Sequence, residues 1–250
     1  MSAPSEAPAP QPASTPPITR SRGYLGGTFV VLHQAPGTPV RVGVLILPPL
    51  GYEDTSAYRP LRTLADAVAA AGHLALRLDW PGLGDSAGAD LDDDLHVRPL
   101  EAVQTGAAAV RAAGCTSVIA VGVRAGGLYA LAAAGLDELV LWAVPASGKR
   151  YVREERAFQG FAEAAFGGVS GPAPPAGAVE AGGFLYGPRV VEGLTAMDPT
   201  RAPPNGVRRA LLIGRDGAAP DEALVTALRG AGTQVDEMRG EGLGVLLENA

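Results

Sequence analysis

Histidine is scarce in this sequence, and its placement matters more than its number. The three histidines are His33, His73 and His96, and none follows residue 96. They are too few and too scattered for a metal site, and no metal or other cofactor is expected. The single cysteine, Cys115, excludes an intrachain disulfide and a thiolate zinc cluster, and it reads as a small core residue. Lysine is rarer still: Lys149 stands alone beside 19 arginines, a skew of the kind a GC-rich genome produces. Basic residues are outnumbered overall, 20 against 26 acidic, for a net charge of −6 and a pI near 5.1. That balance argues against a nucleic-acid partner, which needs clustered basic side chains to neutralise phosphates. No apolar run approaches a membrane span, and the first residues lack the apolar core of a signal peptide. The expectation is a cytoplasmic protein with no membrane partner.

What is present suits a globular chain of one α/β domain or two small ones. Over 250 residues, 47% are hydrophobic and 18% charged, enough to bury a sizeable core. Glycine (34) and proline (22) are frequent, so many turns and one unstructured stretch are expected. That stretch is residues 1–22, where six prolines sit among alanine, serine and threonine. Such a segment buries too little surface to offset its ordering entropy, and it reads as a disordered tail before a domain spanning 23–250.

Beyond the tail, short β-rich runs alternate with helical ones. Tyr24 to His33 and Arg41 to Leu47 read as strands around the turn signal Pro36-Gly37-Thr38. Leu61, Leu64 and Val68 recur at helical spacing within Arg59 to Ala71. His73 to Asp79, Ser117 to Val121, Glu138 to Ala143, Val207 to Gly214 and Gln234 to Met238 read as further strands. Pro99 to Ala113, Leu128 to Gly135 and Asp221 to Gly230 read as helices between them. Alternation of this kind implies crossover units and a doubly wound, mostly parallel α/β sheet. The rhythm breaks over 145–204, where a charged helix, Tyr151 to Ala165, precedes a Gly/Pro/Ala stretch, Phe166 to Gly183, with the look of a mobile loop. This segment is expected to form an inserted cap.

The most informative stretch is Ser117 to Ala134, SVIAVGVRAGGLYALAAA: a strand, a tight glycine turn and a helix. A nucleophile elbow needs small residues two before and two after its apex, and Gly122 and Gly126 hold those positions. The apex, where serine, cysteine or aspartate is expected, is Arg124. A guanidinium is permanently charged and a poor nucleophile, but it binds carboxylate or phosphate bidentately. The segment GDSAG (Gly84 to Gly88) matches G-x-S-x-G outright, yet it leads into the acidic run Asp90 to Asp94 and not into a helix. Ser86 therefore reads as a residue at the edge of a pocket or a structural turn. The glycines Gly82, Gly84 and Gly88 fit a dinucleotide fingerprint poorly, being one residue too long. Asp90 to Asp94 reads as a solvated acidic turn and not a calcium loop. Arg150, Arg153 and Arg156 interleave with Glu154 and Glu155 as a paired helix surface.

Taken together, LILPPLGYEDTSAYRPLRTLADAVAAAGH (Leu45 to His73), LRLDWPGLGDSAG (Leu76 to Gly88), GVRAGG and LVLWAVPASGKRYVREERAFQ (Leu139 to Gln159) resemble the α/β-hydrolase superfamily. The resemblance spans roughly residues 23–245. It is closest to the serine aminopeptidase-like group and to the hydrolase-like proteins of exosortase and polysaccharide gene clusters, among which arginine also occurs at the elbow apex. It implies a triad in the order nucleophile, acid, histidine. Asp216 matches the acid position and is expected to form an ion pair with Arg124. The histidine should follow the last strand, but none does, and the chain ends about a dozen residues past that strand, as a truncated sequence would. The resemblance also implies an oxyanion pocket at the loop Leu47 to Tyr58, formed by the backbone N–H of Leu50 or Gly51 and that of Ala125. Two functions stay open. One is a noncatalytic relative that binds a small molecule, an anionic one included, through Arg124. The other is a working ester, amide or thioester hydrolase using unorthodox groups or a histidine beyond residue 250.

Overall fold

The computed structural model describes residues 17–37, 40–166 and 174–248. Eight strands form one sheet: β1 (Thr19–Leu25), β2 (Thr28–Gln34), β3 (Val42–Leu47), β4 (Leu74–Leu78), β5 (Ser117–Val123), β6 (Glu138–Trp142), and, after an excursion, β9 (Arg209–Asp216) and β10 (Gln234–Gly240). Their order is β1-β2-β4-β3-β5-β6-β9-β10. The first three pair antiparallel, and every later pairing is parallel.

Period-two alternation on β3 decides which core each residue joins. Leu45 and Leu47 face one core, Val44 and Ile46 the other. Helices α1 (Tyr52–Ala70) and α7 (Leu243–Glu248) cover the second face through Leu61, Ala65, Leu243 and Leu246. Helices α2 (Arg98–Ala112), α3 (Ala125–Ala132) and α6 (Glu222–Gly230) cover the first. Burial on both sides explains the continuously apolar parallel strands. The doubly wound sheet expected from the alternation is thus observed.

Several boundaries differ from the sequence reading. The sheet begins before residue 23, because Thr19 to Arg22 pair with Val31 to Gln34 as half of a hairpin. Tyr24 to His33 is not one strand: Gly26 and Gly27, at φ 56° and 85°, turn the chain between β1 and β2. Positive φ at two adjacent residues is what a tight hairpin turn requires. Helix α1 starts at Tyr52, about two turns before the expected Arg59, and carries Pro60 within it. The loop expected over Leu47 to Tyr58 is consequently only four residues long.

Between β6 and β9 lie α4 (Gly148–Phe166), the two-stranded hairpin of β7 (Val179–Ala181) and β8 (Phe184–Tyr186), and α5 (Pro188–Ala196). The loop expected over Phe166 to Gly183 falls partly on 167–173, outside the described residues. From Val179 onward it is a hairpin, turned by Gly182 and Gly183 at φ 58° and 82°.

Candidate active site

Strand β5 runs straight into α3 through Arg124, whose backbone sits at φ 52°, ψ −118°. A residue with a Cβ is strained there, and such strain persists only where packing enforces it. The neighbouring glycines show the enforcement. A Cβ on Gly122 would come within 2.5 Å of the Gly127 Cα. One on Gly126 would strike the carbonyl oxygens of Leu47 and Pro48, and one on Gly127 would strike Val144. The elbow is therefore wedged against the exit of β3. That exit is held in turn by Trp80, whose indole N–H donates to the carbonyls of Pro48 (3.0 Å) and Pro49 (3.2 Å).

The guanidinium of Arg124 is buried, its side chain only 3% exposed, and it lies between two carboxylates. Its Nε donates to Glu53 Oε1 at 2.8 Å, and its Nη2 meets Glu154 Oε2 at 2.9 Å. Its Cζ stands 5.4 Å from the centre of the Tyr151 ring, close enough for cation–π attraction. Burial alone would lower the arginine pKa, but Glu53 and Glu154 outweigh it and hold the value above the ordinary one. Glu154 is held below its usual range despite its own burial, by Arg124 first and Arg215 next. Glu155 behaves in the opposite way: burial, then the nearby Glu53 charge, push it up to about 7 against the pull of Arg124. The second oxygen of Glu53, Oε2, is buried without a hydrogen-bond partner among the described residues.

Two tyrosines close this cluster on the side of α4 and the β7–β8 hairpin. Their hydroxyls, of Tyr151 and Tyr186, are 3.5 Å apart. The Tyr186 hydroxyl also packs on Gly51, filling the space a Cβ would need there. Gly51 lies at φ 57°, ψ −130° at the head of α1, a conformation that suits glycine. Burial raises the pKa of both phenols, so both stay protonated at neutral pH.

No family model matches the sequence, and no curated protein matches it. Solved structures do. The chain is similar to Est1E from Butyrivibrio proteoclasticus with ferulic acid bound, at TM-score 0.63 and 16% identity over 91% of this chain and 95% of that one. It is similar to brefeldin A esterase, a bacterial homologue of human hormone sensitive lipase, at TM-score 0.55 and 16% identity over 97% and 74% of the two chains. An aminopeptidase from a marine sediment archaeon, Thaumarchaeota archaeon, aligns at TM-score 0.53 and 16% identity, over 92% of this chain and 49% of that one. The fold is that of the α/β-hydrolases.

Within the α/β-hydrolase fold, the sequence-predicted site residues divide into those brought together and those not. The exit of β3, at Leu47 and Pro48, packs on the elbow beside Arg124 and Ala125, and Leu50 and Ala125 are buried, while Gly51 packs on Tyr186. Asp216 does not join Arg124, so the expected ion pair is absent. Its carboxylate, exposed at the end of β9, accepts the backbone N–H groups of Leu243 (2.9 Å) and Gly244 (2.6 Å). Those two bonds, Gly244 first, lower its pKa. The unpaired N–H groups at the start of α7 take this carboxylate, while Glu53 and Glu154 already occupy Arg124.

Ser86 likewise stands apart. Its hydroxyl donates to the carbonyl of Asp79 (2.6 Å) and accepts from the N–H of Phe29 (2.8 Å), so it ties a turn to the sheet. No histidine reaches the elbow. His33 is buried against Asp66 (2.8 Å), His96 bonds the Asp93 carbonyl (2.8 Å), and neither touches Arg124 or Asp216.

The sequence reading missed Glu53 and Glu154, the two partners that define the site. Glu53 was within reach of pattern analysis. Extending the buried stripe of Leu61 and Ala65 back by four and eight residues gives Ala57 and Glu53, an acid on the apolar face of α1. Glu154 reads from the sequence as part of a paired helix surface, and its i,i+4 pair with Arg150 does form at 3.2 Å. The bond that points inward is the one to Arg124, whose side chain is buried.

Proposed function

We propose that this protein is a cytoplasmic, noncatalytic member of the α/β-hydrolase superfamily that binds a small molecule in place of hydrolysing one. One observation carries the reading: the apex of the nucleophile elbow holds a buried arginine, clamped by Glu53 at 2.8 Å and Glu154 at 2.9 Å. A guanidinium so held offers no lone pair to attack a carbonyl, and no histidine stands near it as a base. Its charge is matched by carboxylates, so the ion pairs fill the space that a reacting group would occupy. Esterases are among the structural neighbours, but their chemistry does not transfer to a chain with Arg124 at the apex.

Within the superfamily we assign the chain to the serine aminopeptidase-like group, on the motifs around Leu45 to His73 and Leu139 to Gln159. Within the segment 145–204, α4, the β7–β8 hairpin and α5 act as a cap over the elbow.

Fluorophosphonate labelling tests the noncatalytic assignment. After treatment of the purified chain, intact mass should be unchanged. A stoichiometric adduct, on Ser86 or any other hydroxyl, would refute it.

A further inference from the structure

Three arginines converge on one carboxylate beside the elbow. Glu154 receives Arg124 Nη2 at 2.9 Å, Arg150 Nε at 3.2 Å and Arg215 Nη1 at 3.3 Å. The three come from different parts of the fold: the elbow, the start of α4 and the end of β9. Arg124 has a second carboxylate in Glu53, and Arg150 has one in Asp221 at 2.8 Å. Arg215 has no other carboxylate among the described residues. Without Glu154 the cluster would carry one uncompensated positive charge. Forked guanidinium donors set around one point suit a planar carboxylate or a phosphate equally well.

Next to that point lies a cavity of about 130 Å³, with Arg124, Arg150 and Arg215 and the carboxylates of Glu154 and Asp221 on its polar side, and Ala143, Ile213 and Ala219 on its apolar side. One water needs only about 15 Å³ of such space, so an oxyanion headgroup fits. Glu154 is the more exposed of the two carboxylates that hold Arg124. Its side chain is 24% exposed against 10% for Glu53, and rotation about its own bonds would carry the carboxylate out to water.

We propose that this cradle binds the carboxylate or phosphate group of a small ligand, and that Glu154 is its internal occupant, displaced when the ligand enters. The inference deepens the noncatalytic reading and rests on it, because Arg124 serves here as a fixed cation and takes no part in a reaction. A tethered carboxylate competes at an effective concentration of about millimolar or above, so free anions bind the wild-type chain weakly. Removing the competitor should therefore strengthen binding. A merely structural ion-pair network makes no such demand.

The test is calorimetric titration of the full chain with inorganic phosphate and, separately, with acetate, at ionic strength held constant with sodium chloride. Glu154→Ala should bind at least one of them about tenfold more tightly than wild type, and adding Arg215→Ala should remove the gain. Tightening for phosphate alone or for acetate alone supports the cradle and identifies the headgroup. Equal affinity, or no binding by either protein, overturns it. Glu154→Gln, which keeps the shape and removes the charge, is titrated in parallel, with circular dichroism confirming that each variant is folded. A titration without gain from a chain that also resists fluorophosphonate sinks only the cradle. A fluorophosphonate adduct sinks the noncatalytic reading whatever the titration gives.

Discussion

Replacing Arg124 by alanine should destabilise the protein strongly, and the structure sets the size. Glu53 is 8% exposed, already has one orphaned oxygen, and would lose the guanidinium held at 2.8 Å. Stranding one member of a buried pair costs about 3–5 kcal/mol. Glu154 adds little, because it keeps Arg150 and Arg215 and stands partly in water. The backbone strain at φ 52° remains in the alanine variant but is relieved in Arg124→Gly. Relief of about 1–3 kcal/mol, less about 0.5–1 for the added freedom of the unfolded glycine, places Arg124→Gly roughly 1 kcal/mol above Arg124→Ala despite the smaller side chain. Adding Glu53→Gln to Arg124→Ala removes the stranded charge and should recover more than half of the loss. Urea denaturation at pH 7, with slopes compared across the series, measures each of these differences. A cost below about 1 kcal/mol for Arg124→Ala, or no recovery with Glu53→Gln, would refute a buried, mutually dependent pair.

Stability should fall as pH rises from about 4.5 through 7, since Glu155 keeps its proton up to about pH 7 when folded while the unfolded chain releases it near 4.5. Glu155→Gln should remove a decline of roughly 2–3 kcal/mol over that window, leaving a comparable one from Asp54, which burial also pushes up to about 7; an unchanged profile contradicts this. Gly126→Ala should cost more than about 2 kcal/mol because its Cβ meets backbone carbonyls, whereas Gly160→Ala, in open space on α4, should be neutral or stabilising by up to about 1 kcal/mol; thermal melts compare them. Asp216→Ala should release α7, seen as faster amide exchange over Leu243 to Leu247, with the sheet unaffected; unchanged exchange there would show that the carboxylate does not anchor the helix.

The strand–elbow–helix unit was legible because its requirements are local. Gly122, Gly126 and Gly127 stand where close backbone approach forbids a Cβ, and β5 has the apolar run of a strand buried on both faces. Hairpins were harder to see. Gly26-Gly27 and Gly182-Gly183 both turn the chain at positive φ, but each sits in a stretch read as a single strand or a single loop. Pro60 concealed the first turns of α1, since a proline inside a helical pattern argues for a boundary there. The ion-pair partners of Arg124 were hidden for a different reason. Glu53 and Glu154 lie 71 positions before and 30 after it in the chain, and only the sheet order, with β3 beside β5, brings the head of α1 to the elbow. Asp216 falls on the last residue of β9, two past the strand end expected at Gly214, and spacing cannot reveal that a short C-terminal helix would claim its carboxylate.

The claim that Arg124 stoppers a site without hydrolytic chemistry is tested most directly by turnover. Purified wild-type chain and Arg124→Ala are assayed side by side on a panel of aryl esters at pH 8, against buffer alone. The expected result is a rate for the wild type no greater than that of buffer. Saturable hydrolysis by the wild type above the buffer rate would contradict the account, whether or not the variant retains it.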